Sequence, residues 1–357
     1  DFFKACAKLH MDFTGVSFKN VDITELDFTG LKGIKINPQS VYDKDLTAVV
    51  FSGVTFTGIF DDTKILDADF TGSSGAFIDP QTIYEKNLNA VFSDVEFIGD
   101  FDGCTISGAD FTGSVGAKID PQEINDGNLN ACIFFDVVFD GSFENVTIVD
   151  SDFTGSIGAV IDPEELLDKD LSYVILSDAT INGDFDGVVL KRTDFREAMG
   201  NIEINPQLIS DYSLVGCFFG GVKFIGSFED VELYNTDFTG SIGAVINPQE
   251  VFDKNLKYTK LCDTTINGSF DDVGISHTDF TGSTGAVINP TKVRDKSLYF
   301  TKLKDTKIEG IMFNVDIEGA DFTGSKGAKI YSNLLSNNSN YEYKKNINKS
   351  NILTKPR

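Results

Sequence analysis

The stretch TGSIGAVINPQEVFDKNL at residues 239–256 returns as TGSTGAVINPTKVRDKSL at residues 281–298, 42 residues later. The tetrad DFTG marks the same repeat. It begins at residues 12, 27, 69, 110, 152, 237, 279 and 321, and DFRE stands in its place at 194. Self-similarity at a fixed period of this length indicates stacked repeats, each too small to bury its apolar face alone. The sequence therefore predicts one repetitive array rather than several globular domains.

A finer period of about five residues runs inside each repeat. Large apolar residues fall at positions 256, 261, 266, 270, 275, 280, 288, 293 and 298. The same register runs from Phe13 to Ile330 and takes in 24 of the 32 Phe residues. This spacing matches neither the period of a strand nor that of an amphipathic helix. A chain that turns a corner every five residues explains it, because each side then sends one large residue inward.

Small residues usually stand two positions before the large ones, and we expect them to share the interior with the large residues. Examples are Cys104, Ala109, Ser151, Thr193 and Thr236.

The segment GADFTG, at residues 108–113 and 319–324, resembles the A-D/N-L/F-x-x motif of pentapeptide-repeat proteins. The resemblance covers roughly residues 9–330. It implies an all-β fold, a right-handed quadrilateral parallel β-helix of about 15 coils, with two coils in each 42-residue repeat. At an inter-strand distance of about 4.8 Å, such a solenoid would be roughly 70 Å long. Residues 1–8 are then a possible N-terminal cap, and residues 331–357 a C-terminal cap and a flexible Asn- and Lys-rich tail.

Two segments depart from the five-residue step. TGSxGAxI contains an eight-residue step, which predicts either a simple corner or one of a ridge of loops along one edge. In the NPQ segments that follow, Gln249 and Lys254 replace the small inward residue, and neither should point inward unpaired. A short helical turn is the alternative, with Asn247 or Asp162 as its cap and proline at its first position.

Composition narrows the possible partners. The chain carries 55 acidic and 30 basic residues, a formal net charge of −25, which argues against direct nucleic-acid binding and favours a basic protein partner. No apolar run is long enough to suggest a membrane segment. The five cysteines show no CxxC spacing, so neither a disulfide framework nor a zinc site is expected, and a reducing, cytoplasmic setting fits best.

Catalytic groups are scarce. The chain has two histidines, His10 and His277, and we expect His277 on the surface. Cys104, Cys132 and Cys217 occupy small inward positions and are expected to be core thiols, whereas Cys262 should be exposed. GDFDG, at residues 99–103 and 183–187, lacks the order of a calcium-binding loop. We therefore expect a protein that is not an enzyme and binds no metal or cofactor.

Acidic residues form the one sustained surface pattern, in two rows. The first row follows the large residue on one side of the solenoid and the second precedes it on another side. The first row is Asp61, Asp102, Glu144, Asp186, Glu229 and Asp271. The second row is Asp69, Asp110, Asp152, Asp194, Asp237, Asp279 and Asp321.

Three interpretations of the acidic rows stay open: solvation of the surface, calcium binding, and mimicry of a DNA duplex. The resemblance brings in the third, because several pentapeptide-repeat proteins bind DNA gyrase in place of DNA. Residues 1–330 carry a net charge of −29, or about one charge per 2.4 Å against about 1.7 Å in duplex DNA. The leading hypothesis is a binding or scaffold protein with an acidic surface, and the alternative is an inhibitor or protector of a type II topoisomerase.

Overall fold

A computed structural model describes residues 6, 8, 9, 11–327, 329–331 and 352–353. These residues form a parallel β-solenoid of about 14 coils with almost no helix, which confirms the predicted fold class. The chain divides into two compact units, residues 1–182 and 183–357. The predicted N-terminal cap at 1–8 and tail at 331–357 lie almost entirely outside the described residues.

In the first unit, eight short strands pair in twos, all parallel and each about one coil above its partner. They are β1 (Lys35–Ile36), β2 (Thr55–Phe56), β3 (Ala76–Ile78), β4 (Val95–Phe97), β5 (Lys118–Ile119), β6 (Val138–Phe139), β7 (Val160–Ile161) and β8 (Thr180–Ile181).

The second unit repeats this arrangement, again with parallel pairs of successive strands. The strands are β9 (Glu203–Ile204), β10 (Lys223–Phe224), β11 (Val245–Ile246), β12 (Thr265–Ile266), β13 (Val287–Ile288), β14 (Lys307–Ile308), β15 (Ile330–Tyr331) and β16 (Ile352–Leu353).

A tight turn at each corner explains the five-residue period. The Val54 amide donates to the Phe51 carbonyl over 2.9 Å, and Gly53 between them has a φ of 79°. A hydrogen bond from the fourth residue to the first, with positive φ at the third, is a type II turn. The residue before the turn forms the rung of the ladder, as Val50 pairs with Asp27 below and Asp69 above. One rung residue and four turn residues make up each step.

The interior is a set of stacked aromatic rings. All 24 Phe residues of the predicted register are buried, and Phe111, Phe153 and Phe280 are completely so. Phe111 lies 5.5 Å from Phe92 one coil below and 6.2 Å from Phe134 one coil above, measured between ring centroids. Each coil therefore packs chiefly on its two neighbours.

The small inward residues are buried as predicted, and several of the polar ones find partners in the coil below. The hydroxyls of Thr236, Thr259 and Thr278 donate to the carbonyls of Leu214, Leu233 and Leu256 over 2.6–2.8 Å. These bonds are made inside the solenoid, so a Thr hydroxyl is accommodated there without an unpaired polar atom.

The eight-residue step is a corner widened by one extra turn. In TGSVGAKI, Ser114 and Ala117 are buried, and Val115 and Gly116 between them are exposed. Val115 pairs with Glu96 in the coil below, whereas Lys118 pairs with Val138 in the coil above. The step therefore shifts the strand ladder sideways in every second coil, and its loop is short and partly buried.

The NPQ segments form the predicted helical turns at three places, as single 3-10 turns. Asn37 caps the first by accepting from the Gln39 amide over 3.0 Å, and Asp162 and Asn247 cap their segments in the same way. The three turns are Pro38–Ser40, Pro80–Thr82 and Pro121–Glu123. Six further 3-10 turns are Tyr42–Lys44, Tyr84–Lys86, Asn125–Gly127, Ser210–Tyr212, Phe252–Lys254 and Arg294–Lys296.

Truncating one ring of the core should be costly. We expect Phe111→Ala to lower the free energy of unfolding of the first unit by about 3–5 kcal/mol, because the cavity lies between two coils that cannot collapse onto it. Urea unfolding followed by circular dichroism measures this. Phe77→Ala, at a ring that is 50% exposed in the same unit, is the matched control and should cost far less. Equal losses in the two variants would contradict the stacked core.

Candidate functional site

The Asp residues of the DFTG tetrads form the second acidic row, and their carboxylates accept hydrogen bonds from backbone amides of the turns they precede. In each the carboxylate accepts from the backbone amide two residues later, as Asp110 does from Thr112 over 2.9 Å. The other six do the same with Thr71, Thr154, Arg196, Thr239, Thr281 and Thr323. All seven are buried or half-buried. The carboxylates of this row therefore stabilise the corner turns.

The glycine of the tetrad joins one coil to the next. The Gly240 amide donates to the carboxylate of Asp263 over 2.9 Å, and Gly282 donates likewise to Asp305. Asp263 has a φ of 61°, in the left-handed region where Asp and Asn are tolerated. The sequence pattern missed these aspartates, which stand two residues after a large inward residue.

Two tetrad aspartates also hold lysines of the coil above. Lys260 and Lys302 lie 2.7 and 2.9 Å from the carboxylates of Asp237 and Asp279. Burial raises the pKa of each carboxyl, but the lysine and the turn hydrogen bonds outweigh it, so both pKa values are below the usual range. Both carboxylates are ionised at neutral pH and form part of the fold.

The first acidic row lies at a different corner and points to solvent. In the first unit Asp61, Asp102 and Glu144 are exposed. Their backbone carbonyls face the NPQ segments: those of Asp61 and Asp102 accept from the side-chain amides of Gln39 and Gln81 over 2.6 and 2.8 Å. The glutamine that seemed out of place in the sequence therefore fixes the corner from which the carboxylate projects.

Other acidic residues stand between the members of this row, one coil away. The Gly103 amide, next to Asp102, donates to the carbonyl of Glu123 in the coil above, and Asn145, next to Glu144, donates to that of Glu165. Both glutamates are exposed. We call Asp102, Glu123, Glu144 and Glu165 the acidic ridge. Its backbone positions follow one another at about 4.8 Å, half the spacing that the sequence row alone implies.

Few cations balance the ridge in the first unit. Within residues 11–182 as described, no ion pair joins the four ridge carboxylates to a basic side chain. The Lys86 ammonium comes nearest, but it donates to the backbone carbonyl of Asp102 over 3.0 Å. A small cleft beside the ridge is polar and is lined mainly by Ser142, Phe143, Glu144, Asp162, Glu165 and Asn182.

The second unit has the same corner, with more compensation. Glu229, Asp230 and Glu250 follow the pattern, since the Asp230 amide donates to the Glu250 carbonyl over 2.7 Å. Asp271, however, is paired with Lys292 over 2.9 Å. Asp186, the remaining member of the row, is exposed.

The coils carry inward large residues at steps of about five residues, tight turns at most corners, and parallel rungs to both neighbours. The chain folds as a pentapeptide-repeat solenoid. No family model matches the sequence, and no curated protein does.

Solved pentapeptide-repeat structures show only remote likeness to this solenoid. HetL, a pentapeptide-repeat protein involved in heterocyst differentiation regulation in Nostoc sp. strain PCC 7120, is 12% identical, with a TM-score of 0.14; the match covers 88% of this chain and 91% of HetL. A trypsin-treated variant of QnrB1, a plasmid-mediated fluoroquinolone resistance protein, is 13% identical, with a TM-score of 0.13 and coverage of 74% and 92%. Scores this low carry no argument, so the fold assignment rests on the coil geometry.

The cysteines of the pentapeptide-repeat solenoid are free thiols. Burial raises the pKa of Cys104, Cys132 and Cys217 to about 12, in keeping with their predicted place in the core. Cys262 is half-buried rather than fully exposed as expected, and burial raises its pKa as well.

His277 lies in a stack of aromatic rings on the outside of the second unit. Its ring is parallel to those of Tyr258 and Phe300, at centroid distances of 4.3 and 5.5 Å. It is thus a half-buried packing residue, and no pattern in the sequence indicated the stack. His10 lies outside the described residues.

Two kinds of feature are absent from the described part of the chain, a metal-binding cluster and a membrane-spanning helix. There, no group of three or more His, Cys, Asp and Glu side chains could hold a metal ion. No helix among the same residues has the length and apolarity needed to cross a bilayer.

Replacing a tetrad aspartate should weaken the fold in a pH-dependent way. We expect Asp237→Asn to destabilise the second unit by about 1–3 kcal/mol at neutral pH, through loss of charge-assisted hydrogen bonds. The folded pKa is lowered, so the contribution is complete above the unfolded value of 3.8 and is lost as the pH falls through the folded value. Urea unfolding at neutral and acidic pH tests this. Asp295→Asn, at an exposed site in the same unit, should show no such trend.

Thiol reactivity should single out one cysteine. Because the thiolate is the reactive form, we expect the three core thiols to resist an aromatic disulfide reagent at pH 8 in the native protein. Cys262 should react faster, and Cys262→Ser should remove that phase. If the fast phase survives in this variant, another cysteine is accessible and the burial described for the core is contradicted.

Proposed function

We propose that this protein is a non-enzymatic binding or scaffold protein whose acidic ridge engages a protein partner with a basic surface. One observation supports this above the others: the ridge presents one exposed carboxylate per coil, none of them in an ion pair within the described residues, and Gln81 and Lys86 hold its backbone at Asp102. A fixed row of like charges raises the local potential and speeds the encounter with a cationic partner.

Electrostatic repulsion between the ridge carboxylates favours the binding of a cationic partner. Two carboxylates about 5 Å apart repel by about 0.8 kcal/mol at the dielectric constant of water. That repulsion is screened by salt, and a partner that places cations along the row relieves it. The tetrad aspartates take little part in this proposal, because their oxygens already accept hydrogen bonds from the turns.

A type II topoisomerase is the most specific candidate for the basic partner, by the resemblance of the sequence to gyrase-binding pentapeptide-repeat proteins. The ridge is sparser than a DNA strand, with one charge per about 4.8 Å of axis against one per about 3.4 Å. A supercoiling assay with DNA gyrase and purified protein tests whether gyrase is the partner. Inhibition that disappears in a ridge variant would make gyrase the partner. Unchanged supercoiling at micromolar protein would exclude it.

The binding proposal is tested by removing ridge charges. The ridge variant carries Asp102→Asn, Glu123→Gln and Glu144→Gln. Its control carries Glu25→Gln, Asp67→Asn and Asp150→Asn, which remove the same charge from exposed positions at another corner of the same unit. Proteins retained from a lysate of the source cells are identified by mass spectrometry, and the affinity of each variant for a retained protein is then measured.

We expect the ridge variant to bind its partner about three- to a hundredfold more weakly, since three exposed ion pairs contribute about 0.2–1 kcal/mol each. The control should bind as the wild type does, and added salt should weaken both the wild type and the control. Equal loss in the two variants would point to net charge alone, and no loss in either would remove the ridge from the function.

A further inference from the structure

One side of the first unit, formed by its short strands, is unusually apolar on the outside. Over five successive coils its outward positions carry six large apolar side chains, which we call the apolar sheet face. They are Phe77, Ile98, Val115, Val138, Ile157 and Val160, with exposed fractions of 50, 55, 64, 37, 63 and 48%.

The strand ladders show that these residues are neighbours. Phe77 pairs with Glu96, which pairs with Val115 above it. In the adjoining ladder Val138 pairs with Lys118 below and Ile157 above. Phe77 and Val115 thus lie in one column of outward side chains, Val138 and Ile157 lie in the next, and Val160 begins a third by pairing with Thr180. From Phe77 to Val160 the face extends over about 19 Å along the coils.

The corresponding side of the second unit carries fewer exposed apolar side chains: Ile225, Ile242, Val245 and Val287, with exposed fractions of 42, 59, 47 and 37%. The outward residues of its strand ladders are mostly polar: Glu203, Lys223, Thr265, Thr284, Lys307 and Lys326. Ile242 and Val245 are exposed there too, within the same octapeptide, TGSIGAVI, that holds Ile157 and Val160 in the first unit. The apolar surface is thus larger in the first unit, with six such side chains against four, although the two units share their repeat.

We infer that the apolar sheet face packs against the same face of a second copy of this chain. Two flat sheets pack face to face at about 10 Å when their side chains interdigitate. The rows on this face are separated by the coil spacing, and a second copy has the same spacing, so the outward side chains of the two copies can pack against each other at matching intervals. A partner of another fold would match only in places.

Charge on the face supports self-pairing. Its two charged residues, Glu96 and Lys118, have opposite signs and lie in neighbouring coils. A two-fold axis in the plane of the interface, bisecting the line between them, places Glu96 of each copy opposite Lys118 of the other. A symmetric interface makes such a contact twice. Lys118 is also paired with Asp140 of its own chain at the edge of the face.

The size of the face predicts a reversible dimer. Six half-exposed apolar side chains reach the upper end of the roughly 300–600 Å² that the largest patch of a monomer covers. A stable interface buries about 800 Å² on each partner, so the polar edge must contribute. We expect a dissociation constant in the micromolar range, and an association that salt weakens only slightly because most of the buried surface is apolar.

Sedimentation velocity and light scattering of the full chain, across the micromolar range, test this inference. The face variant Ile157→Lys/Val160→Lys should weaken dimerisation at least tenfold, because it buries two charges. The matched control, Ile242→Lys/Val245→Lys, places the same charges in the identical octapeptide of the second unit and should dimerise as the wild type does. Circular dichroism establishes that both variants fold, and Val115→Thr/Ile157→Thr gives a milder change should the lysines prevent folding.

A charge swap tests the pairing itself. Glu96→Lys and Lys118→Glu should each weaken the dimer, and the double variant should restore it. A wild type that stays monomeric throughout the range overturns the inference. So do equal effects of the face and control variants, or a double swap no better than the single ones. The ridge variants should leave the dimer intact, so this result is independent of the proposed binding function.

Discussion

The corner turn is the constraint on which the rest of the structure depends. Each turn needs a residue with positive φ at its third position, and glycine, asparagine and aspartate meet that need at the lowest cost. Gly53 and Asp67 fill it at two of the corners. Because each turn uses four residues, only one remains between turns, and that residue supplies both rungs of the ladder. The five-residue period, the short strands and the inward large residue all follow from this geometry.

The same constraint explains much of the acidity. A net charge of −25 invites a functional interpretation. Yet many aspartates stand where a turn requires a short acceptor or tolerates positive φ, as Asp110 and Asp263 do. Aspartates that stabilise turns are therefore no evidence for a binding surface. The ridge is among the carboxylates that remain exposed in the first unit, and the side chains of Glu123 and Glu165 take no part in a corner hydrogen bond within the described residues.

The register of large residues could be predicted from the sequence because burial repeats at a fixed step, and every Phe on that register is inside. The ridge could be predicted only in part. The 42-residue repeat aligns Asp102 with Glu144, so both could be predicted as members of one row. Glu123 lies between them in the alternate coil and belongs to a different motif, so the repeat did not indicate it. Contacts between unlike segments of neighbouring coils, such as that of Gln81 with Asp102, depend on how the coils stack. The His277 stack was missed for the same reason.

A solenoid separates what stabilises it from what it displays. The inward column of rings and the ladder of turns are complete within neighbouring coils, so outward positions between the rungs are under little structural demand. Two surfaces of the first unit differ in what they expose: the acidic ridge carries carboxylates, and the apolar sheet face carries large apolar side chains. Both choices raise the free energy of the isolated surface, one through like-charge repulsion and the other through hydration of apolar groups. Neither is needed for folding, since the second unit folds with an ion pair at its corner and with fewer exposed apolar side chains on its sheet side. Surfaces whose composition the fold does not require are where selection for partners is most readily seen.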